Sequence, residues 1–277
     1  MSEERNEQAT ATSENNDQAV EQEMRRMTRR SFLWGGAAAV AAFGGWRWLT
    51  TRRTDEGILW PLRRGLEINE QLARDYFRNT RLAPTFAREL AKEPRVNGDI
   101  GLEDELDAAG WRLNVTGLAD DNERDDDLQL TIEQIKALPH VEMVTELKCI
   151  EGWSTVVHWA GARFADFINV YRPATISGDP SDPPQKPEDL MPYVGLATED
   201  GGYYVGLEMA SALHPQTLLC YEMNGAPLTA DHGAPLRLVT PVKYGIKNIK
   251  RIGTIHFTDR RPADYWAERG YDWFAGH

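Results

Sequence analysis

Cys149 ends the segment Met143-Val144-Thr145-Glu146-Leu147, whose composition predicts a β-strand, and is followed by Ile150-Glu151-Gly152-Trp153-Ser154. A thiolate at a strand end, followed by a glycine that permits a tight backbone path, suits metal ligation or nucleophilic chemistry. Trp153 brings an indole N–H that needs a partner, and Glu151 a charge that is costly beside a core strand unless paired. The plainer reading of Cys149 is a buried cysteine acting as a small hydrophobe. The second cysteine, Cys220, lies inside an apolar run beside Leu219 and is expected to be structural. Two cysteines allow at most one disulfide, so this is not a disulfide scaffold. The sequence contains no Cys-x-x-Cys-His haem motif, and its six histidines are scattered without zinc-ligand spacing.

The elements that must position Cys149 are strand-rich. At 277 residues the chain has room for one large domain or two small ones, and 41% hydrophobic content with nine tryptophans supplies a sizeable core. A formal net charge of -12 argues against nucleic-acid binding, which needs a basic face. Residues 1–23 are polar and acidic and are expected to be disordered. Arg29-Arg30-Ser31-Phe32-Leu33 and the Gly/Ala-rich run to Trp46 read as a twin-arginine export signal. That run is shorter than the ~20 residues that span a bilayer, and no small-x-small cleavage site follows it. Trp46 and Trp48 with Arg47, Arg52 and Arg53 resemble an interfacial belt, so retention as a membrane anchor is expected.

Apolar residues from Leu66 to Lys92 predict one or two helices broken at Pro84. Strands are predicted at Trp111–Leu118, into Cys149, at Tyr193–Thr198, Tyr203–Glu208, Thr217–Met223, Leu236–Pro241 and Ile249–Phe257, while the run Val156–Phe164 leads into a short helix. Short helices are predicted after Thr131, an N-cap candidate, and over Phe164–Val170. Asp120–Asp127 reads as an acidic loop, Ile176–Met191 as a proline-rich loop, and Asn224-Gly225 as a hairpin turn. The class is α+β with a mixed central sheet. Three parts are expected: residues 1–54 as tail and signal, 55–94 as a helical lead-in, and 95–277 as the main domain.

Three segments carry a resemblance. Cys149-Ile150-Glu151-Gly152-Trp153-Ser154 resembles the molybdenum-cysteine loop of the sulfite-oxidase family of molybdopterin enzymes. Asn224–Leu228 with Asp231–Val239, and then Pro241–Lys250, follow in that family's order. The likeness covers residues 97–257. It is greatest to the catalytic subunits of periplasmic protein-methionine-sulfoxide reductases, because sulfite oxidases usually show Ala-Gly-Asn-Arg-Arg after the cysteine. It implies a sulfite-oxidase-type molybdopterin-binding fold with mixed β-sheets and short helices, monomeric and without a dimerisation or haem domain. It implies Mo-molybdopterin as cofactor, with Cys149 as the sole protein ligand to the metal. By the same resemblance Thr198 touches the cofactor, and His232 and Arg237 hold its pterin and phosphate. Asn248, Ile249 and Lys250 form a phosphate-side turn, and Asn97 makes an N-terminal contact. Each has a plainer reading: Arg237 and Lys250 as solvated strand charges, Asn248 as a turn residue, His232-Gly233 as loop, Thr198 as an edge-strand residue.

The activity implied is oxygen-atom transfer, the reduction of S- or N-oxides on a small molecule or a protein. Electrons are expected from a separate haem protein, a membrane cytochrome b or a soluble cytochrome c. The alternative is a sulfite dehydrogenase, for which Arg163 would have to replace the missing arginine pair. A third reading is an exported domain that kept the fold without the cofactor. Glu151 is expected to repel sulfite unless it is paired with Arg163 or Lys148.

Overall fold

The computed structural model describes residues 30–277 apart from 56–57, 79, 106, 108, 120–127 and 179–186. The acidic tail, Arg29, the Asp120–Asp127 loop and much of the proline-rich loop lie outside the described residues. The chain forms two compact units, one of residues up to 55 with 59–61 and one of 56–58 with 62–277.

In the first unit, helix α1 covers residues 30–50. Phe32, Leu33, Trp34, Val40, Phe43, Trp46 and Trp48 are all exposed on it. The Thr51 hydroxyl donates back to the Arg47 carbonyl at 2.8 Å, closing the last turn. Among the described residues no helix is long and apolar enough to cross a membrane. Short strands β1 (Thr54–Asp55) and β2 (Ile58–Leu59) follow.

Helix α2 runs over Trp60–Tyr76, starting earlier than its apolar spacing predicted, with Pro61 in the first turn where a missing N–H costs little. The predicted apolar stripe is not what packs: Ile68 and Leu72 are exposed, and the buried residues are Arg63 and Glu70. Arg63 donates to the Ala267 carbonyl at 3.0 Å, and Glu70 pairs with Arg74 at 2.6 Å and Arg261 at 2.8 Å. A second helix beyond Pro84 does not form. Only a 3-10 turn, Arg88–Leu90, appears there. The flanking backbone instead pairs with strands: Phe86 N–H donates to Val144 O at 3.0 Å, and Lys92 N–H to Val156 O at 2.8 Å.

The rest of this unit contains β3 (Leu113–Thr116), β4 (Leu128–Leu130), α3 (Ile132–Lys136), β5 (His140–Lys148), β6 (Ser154–Arg163) and α4 (Phe164–Tyr171). It continues with β7 (Tyr193–Thr198), β8 (Tyr204–Glu208), α5 (Met209–Ala212), β9 (Leu218–Met223), β10 (Ala226–Pro227), β11 (Arg237–Val239) and β12 (Ile252–Thr258). Instead of one central sheet there are two of five strands. In the first, β5, β6, β9 and β10 lie in that order with β11 also on β9, all antiparallel. The second has the order β4-β3-β12-β7-β8 and is mixed, because β12 runs parallel to β3. The α+β class therefore stands, with mixed pairing confined to the second sheet.

Local signals behave as expected. Thr131 caps α3 in a capping box with Gln134. Asn224 (φ 54°) and Gly225 (φ 82°) make the two-residue turn between β9 and β10, the left-handed pair that matches strand twist. The larger core joins Leu113, Val115, Leu196, Leu207, Ile255 and Phe257 of the second sheet to Phe164 and Phe167 of α4 and Leu219 and Leu238 of the first. Cys220 is completely buried, as expected of a structural residue.

Candidate active site

Strands β5 and β6 form an antiparallel ladder from His140↔Ala162 to Lys148↔Ser154. Residues 149–153 are the loop that joins them, so Cys149 is the first residue beyond the last pair. Cys149 N–H donates to the Trp153 carbonyl at 2.9 Å, and Gly152 N–H donates to the Cys149 carbonyl at 3.2 Å. Gly152 has φ +86° with open space around a notional Cβ, so glycine is required there for conformation rather than for room. The side chain of Cys149 is 9% exposed, and Asn97 Nδ2 lies 3.5 Å from its Sγ. Burial pushes the Cys149 thiol up, while the backbone at Glu151 and Ile150 and the Asn97 amide favour the thiolate.

Glu151 takes neither of the partners proposed for it. Its carboxylate accepts from Trp153 Nε1 at 3.0 Å, and Arg95 stands 5.8 Å from the Trp153 ring centroid on the same indole. Arg163 is excluded from the site by topology. It closes β6 nine residues from Ser154, about 30 Å along the strand at ~3.3 Å per residue.

Cys149, Asn97, His232, Arg237, Asn248 and Lys250 line one cavity of about 360 Å³. Three segments bring them together with the cysteine loop. The first is the irregular stretch 93–100. The second is the turn before β11, where Gly233 (φ +95°) lies so close to Lys250 that a Cβ would meet its Cα at 2.8 Å. The third is the loop 244–250. Arg237 is buried, donates to the carbonyls of His232 at 3.0 Å and Asn248 at 3.2 Å, and stands 4.9 Å over Trp159. Lys250 Nζ donates to the carbonyls of Asn97 at 3.3 Å and Gly98 at 3.1 Å. His232 Nε2 meets Glu93 at 3.3 Å. Burial pushes Arg237 down to about 10 and Lys250 down to about 8, and also lowers His232. Two cationic side chains that have lost solvation, Arg237 and Lys250, therefore face one cavity beside an imidazole that burial holds toward its neutral form, an arrangement that an anion would relieve.

Three sequence-named residues behave differently. The Asn248 side chain lines the cavity, but its Oδ1 accepts from Thr240 N–H at 2.8 Å and its Nδ2 donates to Tyr244 O at 3.2 Å, so it also holds its own turn. Thr198 is not in the cavity. Its hydroxyl donates to Asp200 at 2.5 Å and accepts from Tyr203 N–H at 3.1 Å, and Gly101 packs directly on it. Ile249 is in the hydrophobic core, with its carbonyl accepting from Leu238 N–H at 2.9 Å.

The cavity also holds residues that the sequence did not single out: Arg95, Tyr203, Ile246, Trp266 and Tyr271. Tyr203 donates its hydroxyl to Ile246 O at 2.5 Å, and burial pushes it well above the usual tyrosine range. The lining sorts into two groups. Asn97, His232, Arg237, Asn248 and Lys250 are amides and bases. Ile150, Trp153, Tyr203, Ile246, Trp266 and Tyr271 are aromatic or aliphatic. Cys149 is touched by Asn97 and lies close to Gly245, whose notional Cβ is 3.8 Å from Cys149 Cα, and Arg95, Asp99 and Glu151 add charge to the same lining.

A phosphate-bearing pterin fits the first group. Arg237 Nε is buried without a hydrogen-bond partner among the described residues, Lys250 is half-desolvated, and one thiol stands at the boundary. A single thiol beside buried cations and amides is a donor set that suits a molybdenum–pterin group. The chain matches the model of the oxidoreductase molybdopterin binding domain over residues 100–266, and it belongs to that family. It is thus a molybdopterin-dependent oxidoreductase with Mo-molybdopterin as its cofactor.

The chain is 36% identical over 255 residues to a protein of Azospira oryzae named putative protein-methionine-sulfoxide reductase subunit YedZ1, covering 91% of this chain and 87% of that one. It is 34% identical to the protein-methionine-sulfoxide reductase catalytic subunit MsrP of Xanthomonas campestris pv. campestris, over 58% of this chain and 49% of that one. It is also 34% identical to the MsrP of Campylobacter jejuni subsp. jejuni, over 60% of this chain and 55% of that one. It therefore spans about half the length of these MsrP proteins. The crystal structure of the sulfane dehydrogenase SoxCD from Paracoccus pantotrophus aligns over 57% of this chain and 40% of that one, at 17% identity and a TM-score of 0.46.

Proposed function

We propose that this protein reduces S-oxides or N-oxides at a molybdenum held by Cys149. The observation that carries this reading is the aromatic and aliphatic part of the cavity lining, Ile150, Trp153, Tyr203, Ile246, Trp266 and Tyr271, with no arginine pair after Cys149. A sulfite dianion needs concentrated positive charge. Arg95, the cation beside the cysteine loop, shares Trp153 with Glu151, whose charge offsets it. A neutral oxide needs no such charge. Balanced, the reaction takes an S-oxide, two electrons and two protons to a sulfide and water. The cofactor supplies the oxygen-atom acceptor and the electron store. Cys149 holds the metal, with Asn97 fixing its sulfur. Arg237, Lys250 and His232 take the anionic and pterin parts. The relatives' names, as methionine-sulfoxide reductase subunits, support this direction.

The electrons come from a separate haem protein, since the sequence has no haem or iron–sulfur motif and relatives are named as catalytic subunits. The protein is exported by the twin-arginine route, with Arg29-Arg30 ahead of Ser31-Phe32-Leu33 as the signal. Thr198 supports the cofactor side indirectly by fixing the turn before Tyr203, and Ile249 does so by holding Asn248 and Lys250 in place. Steady-state kinetics with an artificial one-electron donor or acceptor tests the reading. Turnover of S-oxides with higher kcat/KM than sulfite is expected. Sulfite oxidation exceeding every oxide tried overturns it and leaves the cofactor assignment standing.

A further inference from the structure

We propose that the turn of residues 266–271 selects the substrate, with the rings of Trp266 and Tyr271 holding the alkyl arm of a peptide-borne S-oxide. This rests on the oxide-reductase reading above. The turn has a defined form. Gly270 N–H donates to Ala267 O at 3.1 Å, and Tyr271 N–H donates to Trp266 O at 3.0 Å. Gly270 supplies the left-handed residue at φ +101°. The fold-back sets the two rings edge to face, with centroids 5.2 Å apart, and both line the cavity.

The turn is fixed from beneath. Asp264 accepts from Ala267 N–H at 3.1 Å and from Gly206 N–H at 3.2 Å, and Lys247 Nζ lies 2.5 Å from it. Tyr265 packs between Trp266 (5.4 Å) and Tyr203 (5.2 Å), so the rings continue back toward the cysteine. Trp153, held by Glu151, faces the cavity from the cysteine loop.

Rings suit one kind of ligand. A sulfoxide carries a polar S–O bond on a polarisable sulfur with two carbon arms. The arms lie on ring faces and the sulfur at ring edges. Such a wall discriminates by area covered, so it favours a long alkyl arm over a methyl group. Tyr271 is 40% exposed and Arg95 and Glu151 are exposed, so the rim is open and polar. An oxide carried at the end of a side chain can reach in while its backbone stays outside.

The test is kcat and KM for a blocked tripeptide containing methionine sulfoxide and for dimethyl sulfoxide, with molybdenum per chain measured in every variant. In Trp266→Ala and Tyr271→Ala, KM for the tripeptide is expected to rise about ten-fold, with kcat changed less than about two-fold. The rise for dimethyl sulfoxide is expected to be at least about five-fold smaller. Tyr271→Phe should restore the wild-type KM. Should Trp266→Ala lose metal, Tyr271→Ala decides, because that ring stands at the surface. Equal effects on both substrates, or none, overturn the proposal while wild-type turnover of both oxides upholds the reductase reading. A wild-type enzyme that reduces neither oxide overturns the reading itself and this inference with it.

Discussion

Lys247 Nζ lies 2.5 Å from Asp264 Oδ2 and 2.8 Å from the Gly206 carbonyl, and both side chains are almost wholly enclosed. The pair joins the loop that carries Asn248 and Lys250 to the segment that carries Trp266. It therefore sets the separation of the basic and aromatic linings. Removing one partner leaves a buried charge without its counter-charge.

Lys247→Met or Asp264→Asn is accordingly expected to destabilise the fold by about 3–5 kcal/mol. The double variant Lys247→Met/Asp264→Leu should be less destabilised than the sum of the two single variants, because it leaves no orphaned charge, while the Ala267 and Gly206 N–H groups and the Gly206 carbonyl still lose their partners. Chemical denaturation measures both. Single-variant losses below about 1 kcal/mol mean that the pair is not what ties the linings together.

The two cysteines should part company. Cys149→Ser is expected to abolish turnover and molybdenum binding, because a serine oxygen is a hard donor that stays protonated. Cys220 is completely buried, donates to the Glu222 carbonyl at 3.1 Å, and is pushed up to about 12 by burial. It should resist iodoacetamide at neutral pH in the folded protein, and Cys220→Ser should keep its metal. Metal analysis and mass spectrometry of the alkylated protein check the assignment. Loss of molybdenum from Cys220→Ser reverses it.

Lys243 gives a pH dependence. Its ammonium is enclosed, 3.2 Å from Glu208 and 2.8 Å from the Phe274 carbonyl, and burial pushes it down to about 7. In the unfolded chain a lysine holds its proton to about 10.4. Between these values the unfolded state binds more protons, so stability rises with pH across that window. Compared with Lys243→Met, the wild type should be at its greatest disadvantage at pH 6 and should have lost a large part, though not all, of that disadvantage at pH 9. Unfolding midpoints of both proteins at the two pH values measure it. A difference that does not change with pH rejects the titration.

Export is checked in vivo. Arg29→Lys with Arg30→Lys is expected to leave folded protein in the cytoplasm, since the twin-arginine route reads that pair. Fractionation with immunoblotting reports the outcome. Normal export of the double variant assigns the segment to another route.

What the sequence made legible was local. The Cys149 loop, the Thr131 cap and the Asn224-Gly225 turn are each specified by residues within a few positions of one another. Helix α2 misled because its exposed Ile68 and Leu72 imitate a packed stripe, while its real attachments are Arg63 and Glu70. Thr198 and Ile249 stand outside the cavity lining for a related reason. Each neighbours a cavity segment, but the local backbone turns its side chain to a hydrogen-bonded turn or to the core. Trp266 and Tyr271 lay beyond the last recognisable segment. Long-range contacts, through Asp264, Tyr265 and the Ala267 carbonyl, hold them in a cavity shared with a cysteine more than a hundred residues earlier.

Cys149 stands one residue past the last pair of the β5–β6 ladder, on the strand that ends its sheet, and β9 pairs the other side of β6 only from Trp159 to Arg163. Displacing the sulfur by more than a side-chain rotation therefore draws on Lys148↔Ser154 and the pairs behind it. Fluctuation at Cys149 and opening of this end of the ladder become one event, with a free energy smaller than that of opening the whole sheet. Amide hydrogens of residues 146–148 should exchange with solvent faster than those of β9, which is paired on both sides.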